Sequence, residues 1–503
     1  MEANQAYAEL IRRFKERSTL ESIGSMLGWD ERTYMPPKGS GHRAEQMALV
    51  ARLAHEMLTE PRIGELLDSL ERSSLVREGQ GDAAVNVREI RRLYNRAVKM
   101  PKELVEELAR VTTRAQQVWQ ESRQADDFAA FEPWLTKIVA LKRQEAQAIS
   151  YQESPYDALL DEYEPGATAA EITRIFAALR ADLVPLLSAI MGTGKQPRRD
   201  ILERSFPVSR QEIFGQTTAA AIGFDFTAGR LDVTAHPFCS GIGPGDCRLT
   251  TRYDGRHFNQ GFFGILHEAG HGIYDQGLDP EHFGTPLGSA VSLGIHESQS
   301  RLWENQVGRC RPFWEHFFPR ARQIFPGTLD DITLDDFVFA INDVQRSFIR
   351  VEADEATYNM HIILRFELEQ ALIGGDLQAA DVPAAWNETF HKLFQLTPPS
   401  QAKGCLQDIH WSMGGLGYFP TYTLGNLYAA QFMDTARRDL GDLDASFRRG
   451  DFAGLKSWLT EKIHRPGQRY RPRELCERVT GKALSHKPLL AYLHRKYAPL
   501  YGM

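Results

Sequence analysis

The chain has 503 residues, enough for one large enzyme fold or a few domains, and its 42% hydrophobic and 25% charged residues exclude a disordered or collagen-like chain. Its 59 Lys and Arg against 66 Asp and Glu give a net charge of -7 with no long basic run, so no nucleic-acid partner is expected. Five cysteines (Cys239, Cys247, Cys310, Cys405, Cys476) are odd in number and never fall in a C-x-x-C pair, so neither a disulfide framework nor a thiolate metal site is expected, and a reducing compartment fits.

The N-terminal MEANQAYAELIRRFKERSTLES lacks the basic segment and apolar stretch of a secretory signal. No run of about eighteen uninterrupted apolar residues is present to span a bilayer. A cytoplasmic protein without a membrane partner is the expectation. Trp134, Ile138 and Leu141 recur at i, i+4, i+7, and Ile172, Phe176, Leu179 and Leu183 repeat the stripe just after Thr168 and Glu171, which stand at capping-box spacing. Both segments are predicted helices with one buried face. Residues 224–253 break the pattern: Gly and Pro punctuate short β-prone pieces such as LDVT and CRLTTRY, predicting a small sheet or hairpin among the helices. A long helix is predicted from Thr333 to Ile373, opened by Thr333 and Asp336 and free of Gly and Pro until its end. The Pro-Gly turns are short enough to be helix connections, and no linker or repeat divides the chain. The fold class is therefore mainly α, a single large domain over 1–503, with roughly the first 130 residues as a helical lid or wall.

The chemistry concentrates at His267, Glu268, Ala269, Gly270 and His271, an H-E-x-x-H pattern. Residues four apart share a helix face, so His267 and His271 can present two imidazole nitrogens to one ion. Glu268, one step round, is placed to act as general base on a water at that ion rather than as a ligand. Phe262, Leu266, Ala269 and Ile273 would anchor the opposite face in the core. Gly270 and Gly272 each weaken the helix by about 1 kcal/mol, which points to a neighbour's backbone passing close by. A catalytic site commonly takes a third protein ligand. A second helix predicted over 287–307 carries Glu297, the preferred third ligand, with His296 its rival and a solvated glutamate the plainer reading. Asp275, one turn after His271, is a candidate to orient an imidazole, or simply an exposed helix-end carboxylate.

These motifs resemble the carboxypeptidase Taq family of metallocarboxypeptidases. The resemblance rests on HEAGH and HESQ, on HPF and DCRLT before them, and on IRVEAD and GCLQDIHW after them. It extends to WDERTYMP, YDALLDEYEPG and GYFPTYTLG and so covers nearly the whole chain. The family implies an almost wholly helical fold with a deep groove and one divalent metal, usually zinc with cobalt a good substitute. It further implies removal of single C-terminal residues from peptides with broad specificity, and a homodimer. By this match His267, His271 and Glu297 carry over as ligands and Glu268 as the catalytic carboxylate.

Arg350, Asp354, Tyr358 and His361 fall at i, i+4, i+8 and i+11 of the predicted long helix, a polar stripe along one side. A guanidinium matches a terminal carboxylate, which makes Arg350 the candidate for substrate recognition, with Asp354 holding it in place; an ordinary Arg350–Asp354 ion pair is the alternative. His236, Arg248 and His410 are singly more often structural, but as family motifs they line the groove. The DCRLT segment could offer an edge to which a peptide adds as a strand. Tyr418 and Tyr422 are candidates to donate a phenolic proton to an oxyanion, against aromatic packing. Two other readings are weighed: a metal-dependent oligopeptidase cutting internal bonds, and a non-enzymatic protein with a structural metal, which the cysteine positions and the spare Glu268 disfavour.

Overall fold

Helices carry the chain almost from end to end, and a computed structural model describes residues 2–77 and 81–503. Helix α1 (Ala3–Thr33) packs with the helices Ser40–Thr59, Pro61–Glu71 and Asp82–Lys99 around a small apolar cluster of their own that includes Leu10, Ile63, Leu67 and Ile90. From Leu104 onward nearly all the buried apolar side chains join one continuous core. The predicted stripes are realised there. The helix Phe128–Ile149 buries Ile138 and Leu141. The helix Ala169–Gly192 begins where the Thr168 side chain accepts the Glu171 N–H, and it buries Ile172, Phe176, Leu179 and Leu183. Its mean hydropathy of 1.6 over one window would suit a membrane span, yet its stripe belongs to the core.

The single sheet among the described residues holds β1 (Gly229–Val233), β2 (Cys239–Gly243) and β3 (Asp246–Thr251) in the order β1-β3-β2. β2 and β3 are antiparallel across the Pro244-Gly245 turn, where Gly245 takes a φ of 79° that a side chain would resist. β1 runs parallel to β3 on its other side. The DCRLT strand is thus central, with both backbone edges paired, and cannot take up a peptide by strand addition; the expectation of an edge there is corrected.

Helix α2 (Phe258–Gly277) follows the sheet and buries Phe262, Leu266, Ala269 and Ile273, the stripe expected from their spacing. The next helix is shorter than predicted. A 3-10 turn at Pro286–Gly288 precedes it, and α3 (Leu293–Arg301) starts where the Ser292 side chain accepts the Ile295 N–H, then runs into a π-helical turn at Leu302–Val307.

The long helix expected over 333–373 is two helices. Thr333 caps Leu334–Ala340 as predicted, but the chain then leaves the helix and resumes as α4 (Tyr358–Gly374). Side chains that bind backbone compete with the helical ladder here. Asn342 donates to the carbonyls of Val338 and Arg309, and the Asp354 carboxylate accepts the N–H groups of Gln345, Ala356 and Thr357. Finally, α5 (Pro420–Leu440) lies against α3.

Two glycines set how closely these helices meet. A Cβ on Gly270 would lie 2.6 Å from the Gln299 carbonyl oxygen, and one on Gly425 would lie 2.6 Å from Cγ of Glu297. Helix α3 is therefore pressed between α2 and α5 at the level of His267, His271 and Glu297.

Candidate active site

One face of α2 and the facing turn of α3 bring three donors together. His267 Nε2 and His271 Nε2 lie 3.6 and 3.4 Å from Glu297 Oε2. Tetrahedral ligation with bonds of about 2.0–2.2 Å separates neighbouring N and O donors by roughly 3.3–3.6 Å, so this set fits a divalent ion in its donor chemistry and its spacing. His296, the rival ligand, is turned away: its Nε2 lies 2.9 Å from Asp275 Oδ1 while its ring stacks on His271 at 4.4 Å. Asp275 thus holds His296 and not a member of the triad.

The group that does orient an imidazole is Glu304, whose Oε2 is 2.9 Å from His267 Nδ1. It stands on the π-helical turn after α3, between Arg301 and Arg309. Arg301, four residues after Glu297, donates from Nε to Glu297 Oε1 at 2.7 Å, and Ser300 Oγ donates to Oε2 at 2.9 Å. Burial opposes charge on both carboxylates, but the guanidinium of Arg301 and the imidazoles hold them below their ordinary range. Burial also opposes charge on the two histidines. At His267 the neighbouring Glu297 and Glu304 override it and lift the imidazole to about 9, whereas at His271 burial and nearby His296 prevail and lower it to about 4.

Glu268 is 6% exposed and has no hydrogen-bond or ion-pair partner among the described residues. Burial pushes its carboxyl up to about 7, with His267 pulling the other way. A buried carboxyl left unpaired is costly for the fold, and such groups collect where proton transfer is needed.

A second cluster adjoins through Tyr358. The Arg301 guanidinium lies over the Tyr358 ring at 4.4 Å, and Arg350 Nη1 donates to the Tyr358 hydroxyl at 2.8 Å. Arg350 is buried and bound by Nε and Nη2 to Asp408 Oδ1 at 3.0 and 2.7 Å, while Arg365 Nε donates to Asp408 Oδ2 at 2.7 Å. Two guanidiniums share one carboxylate, which leaves this buried group one positive charge in excess. Despite burial, the two arginines hold the Asp408 carboxyl far below its ordinary value.

The expected Arg350–Asp354 pair is absent, because the helix that would have placed them four apart is broken and Asp354 caps the start of α4 instead. The expected polar stripe dissolves with it: His361 packs against Phe390 and Phe394. The Tyr422 ring lies 4.9 Å from the Arg350 guanidinium, its hydroxyl is 3.1 Å from His410 Nε2, and the Tyr418 ring lies tilted beside it at 5.4 Å. Burial lowers the His410 imidazole to about 4, so the ring is neutral near pH 7.

Arg248 and His236 do not contact these clusters among the described residues. Arg248 bonds Asp246 on its own strand and covers the Trp29 ring of α1 at 4.2 Å. His236 is exposed in the loop between β1 and β2 and makes no hydrogen bond or ring contact with the site residues among the described residues. Asp408 sits inside GCLQDIHW, so a motif marks it; Glu304 carries no signal beyond lying two turns past Glu297.

Residues 9–497 match the family described as carboxypeptidase Taq (M32) metallopeptidase. The sequence is 51% identical to thermostable carboxypeptidase 1 of Thermus thermophilus and 38% identical to carboxypeptidase 1 of Bacillus subtilis, over 100% of each chain in both pairs. The crystal structure of an M32 carboxypeptidase from Deinococcus radiodurans R1 superimposes with a TM-score of 0.96 at 40% identity, covering 99% of this chain and 100% of that one.

Proposed function

Since the chain belongs to the carboxypeptidase Taq (M32) family and is a metallocarboxypeptidase, we propose that His267 and His271 through Nε2 and Glu297 through Oε2 hold its metal. The convergence of these three donors beside an unpaired buried carboxyl carries the assignment. Two imidazoles and a carboxylate suit a borderline divalent cation, zinc or cobalt. When bound, such an ion supplies Lewis acidity to the scissile carbonyl and makes water a nucleophile at neutral pH.

The residues of the chain supply the rest. Glu268 takes the proton of the attacking water and passes it to the leaving amine, and a carboxyl poised near 7 suits both halves of that transfer. Arg350 receives the substrate's terminal carboxylate with N–H groups that Asp408 and Tyr358 leave free, and the excess positive charge of the cluster favours an anion there. Tyr422, held by neutral His410, and Tyr418 offer hydroxyl protons toward the oxyanion. Recognition through the terminal carboxylate and the peptide backbone fits broad specificity.

An enzyme of the cytoplasm, a homodimer, and N-terminal helices that act as a lid over a groove complete the proposal. The carboxypeptidase names of the relatives favour exopeptidase action over cleavage of internal bonds. Product analysis with matched free and C-terminally amidated peptides tests this reading. Single residues should be released from free ends only, activity should vanish on chelation with the fold retained, and zinc or cobalt should restore it. Equal cleavage of amidated peptides would contradict it.

A further inference from the structure

Cys239 and Cys247 form no C-x-x-C pair, but the hairpin register places them together. Cys239 pairs with Leu249 and Gly241 with Cys247, so the two thiols are diagonal neighbours across β2 and β3. Both face α2: Cys247 Sγ lies 3.9 Å from the Gly272 carbonyl oxygen, and Cys239 Sγ lies 3.8 Å from Asp275 Oδ2. The two sulfurs are 3.6 Å apart. On β2, directly opposite Cys247, stands Gly241, where an added Cβ would come within 2.9 Å of Asp275 Oδ2, so the glycine keeps open the space into which the carboxylate points.

This geometry suits coordination better than a disulfide. Diagonal neighbours in an antiparallel pair lie about 7–8 Å apart, beyond the usual Cα separation of a disulfide at about 4.4–6.8 Å. An ion bound tetrahedrally with bonds of about 2.3 Å to sulfur and about 2.1 Å to oxygen separates two sulfurs by roughly 3.8 Å and sulfur from oxygen by roughly 3.6 Å. The 3.6 Å between the two sulfurs and the 3.8 Å between Cys239 Sγ and Asp275 Oδ2 each lie within roughly 0.2 Å of the corresponding edge.

We propose that Cys239 Sγ, Cys247 Sγ and Asp275 Oδ2 form a second cation site, selective for a thiophilic divalent ion such as zinc, which clamps the β2–β3 hairpin to α2. Binding releases both thiol protons to solvent and leaves two thiolates and a carboxylate as ligands. His296 steadies Asp275 through Oδ1 at 2.9 Å, the arrangement by which outer groups fix ligating carboxylates. The same His296 ring stacks on His271, so the clamp bears on the position of α2 beside the first centre. The site is independent of the catalytic assignment and stands or falls separately.

Cobalt(II) titration of the full-length, reduced, metal-free protein tests it, because thiolate ligation gives a near-ultraviolet charge-transfer band that imidazole and carboxylate ligation does not. The wild type should bind two equivalents, one of which brings the band and protects both cysteines from a thiol reagent. Cys239→Ser and Cys247→Ser should each lose the band and one equivalent. His267→Ala, which disables the other centre, should lose one equivalent and keep the band. A wild type that shows no thiolate band and leaves both thiols fully reactive with cobalt present would overturn the proposal, as would a band that survives in both cysteine variants.

Discussion

Glu268 is buried with no hydrogen-bond or ion-pair partner among the described residues, while Glu304 holds His267 and Arg301 and Ser300 hold Glu297, a contrast that supports Glu268 as the proposed base. Glu268→Gln preserves shape and removes the base, so turnover should fall by about 10²–10⁴ while bound metal and melting temperature hold; steady-state kinetics beside metal analysis checks this. Asp408 is the opposite kind of residue. Asp408→Asn leaves Arg350 and Arg365 facing each other in the interior without a counter-charge, which should cost about 3–5 kcal/mol in unfolding free energy measured by denaturant titration. A cost no larger than that of a surface substitution would show that the two guanidiniums find other partners. At this scale the sequence exposes His267, Glu268 and His271 because their relation is local, fixed by the pitch of one helix. It hides Glu304, whose place depends on a π-helical turn, and it misassigns Asp354, whose place depends on a helix that ends early.

Between elements, the centre depends on how closely α3 fits between α2 and α5. Gly270→Ala would drive a methyl group to 2.6 Å from a backbone oxygen of α3 that no side-chain rotation can relieve. Overpacking of this sort costs about 1–3 kcal/mol. Because the strain falls on the helix that carries Glu297, metal affinity should drop along with the melting midpoint; competition with a chromophoric chelator measures the first and calorimetry the second. Unchanged metal affinity would mean that α3 yields elsewhere. The stripe Phe262–Leu266–Ala269–Ile273 and the Thr168 and Thr333 caps are legible from spacing alone, since periodicity and capping are properties of a few consecutive residues. The break at Ile341 is not, because no Gly or Pro announces it: Asn342 and Asp354 draw the backbone out of the helix by bonds to Arg309 and Gln345, which sequence order does not reveal. Strand order is hidden for the same reason, and DCRLT looks like an edge until β1 is seen to lie on its far side.

Across the whole molecule, buried carboxyls outside the set of metal ligands should shape the response to pH. Burial pushes Glu164 and Glu369 up to about 7 from ordinary values near 4.5. The folded state then holds protons that the unfolded chain has released. The stability each contributes is full below about pH 4.5 and is lost as pH rises through about 7, an effect on the order of 3 kcal/mol per group. Glu164→Gln keeps a partner for the Gly294 N–H and the Tyr428 hydroxyl but does not titrate. The wild type's advantage over this variant should therefore shrink between those limits in melting midpoints taken across pH, whereas parallel curves would refute the raised carboxyl. The architecture around these groups, one helical core with a small sheet, is foreshadowed by composition and periodicity; the way GYFPTYTLG and HESQ meet through Gly425 and Glu297 emerges only on folding. The central claim is that two imidazoles of α2 and one carboxylate of α3 grip the metal that this peptidase needs. An anomalous difference map from crystals of the metal-loaded protein, recorded at the absorption edge of the metal, addresses it most directly. A peak within bonding distance of His267 Nε2, His271 Nε2 and Glu297 Oε2 is the predicted result, and a map with no peak among those three atoms while the crystals remain active would contradict it.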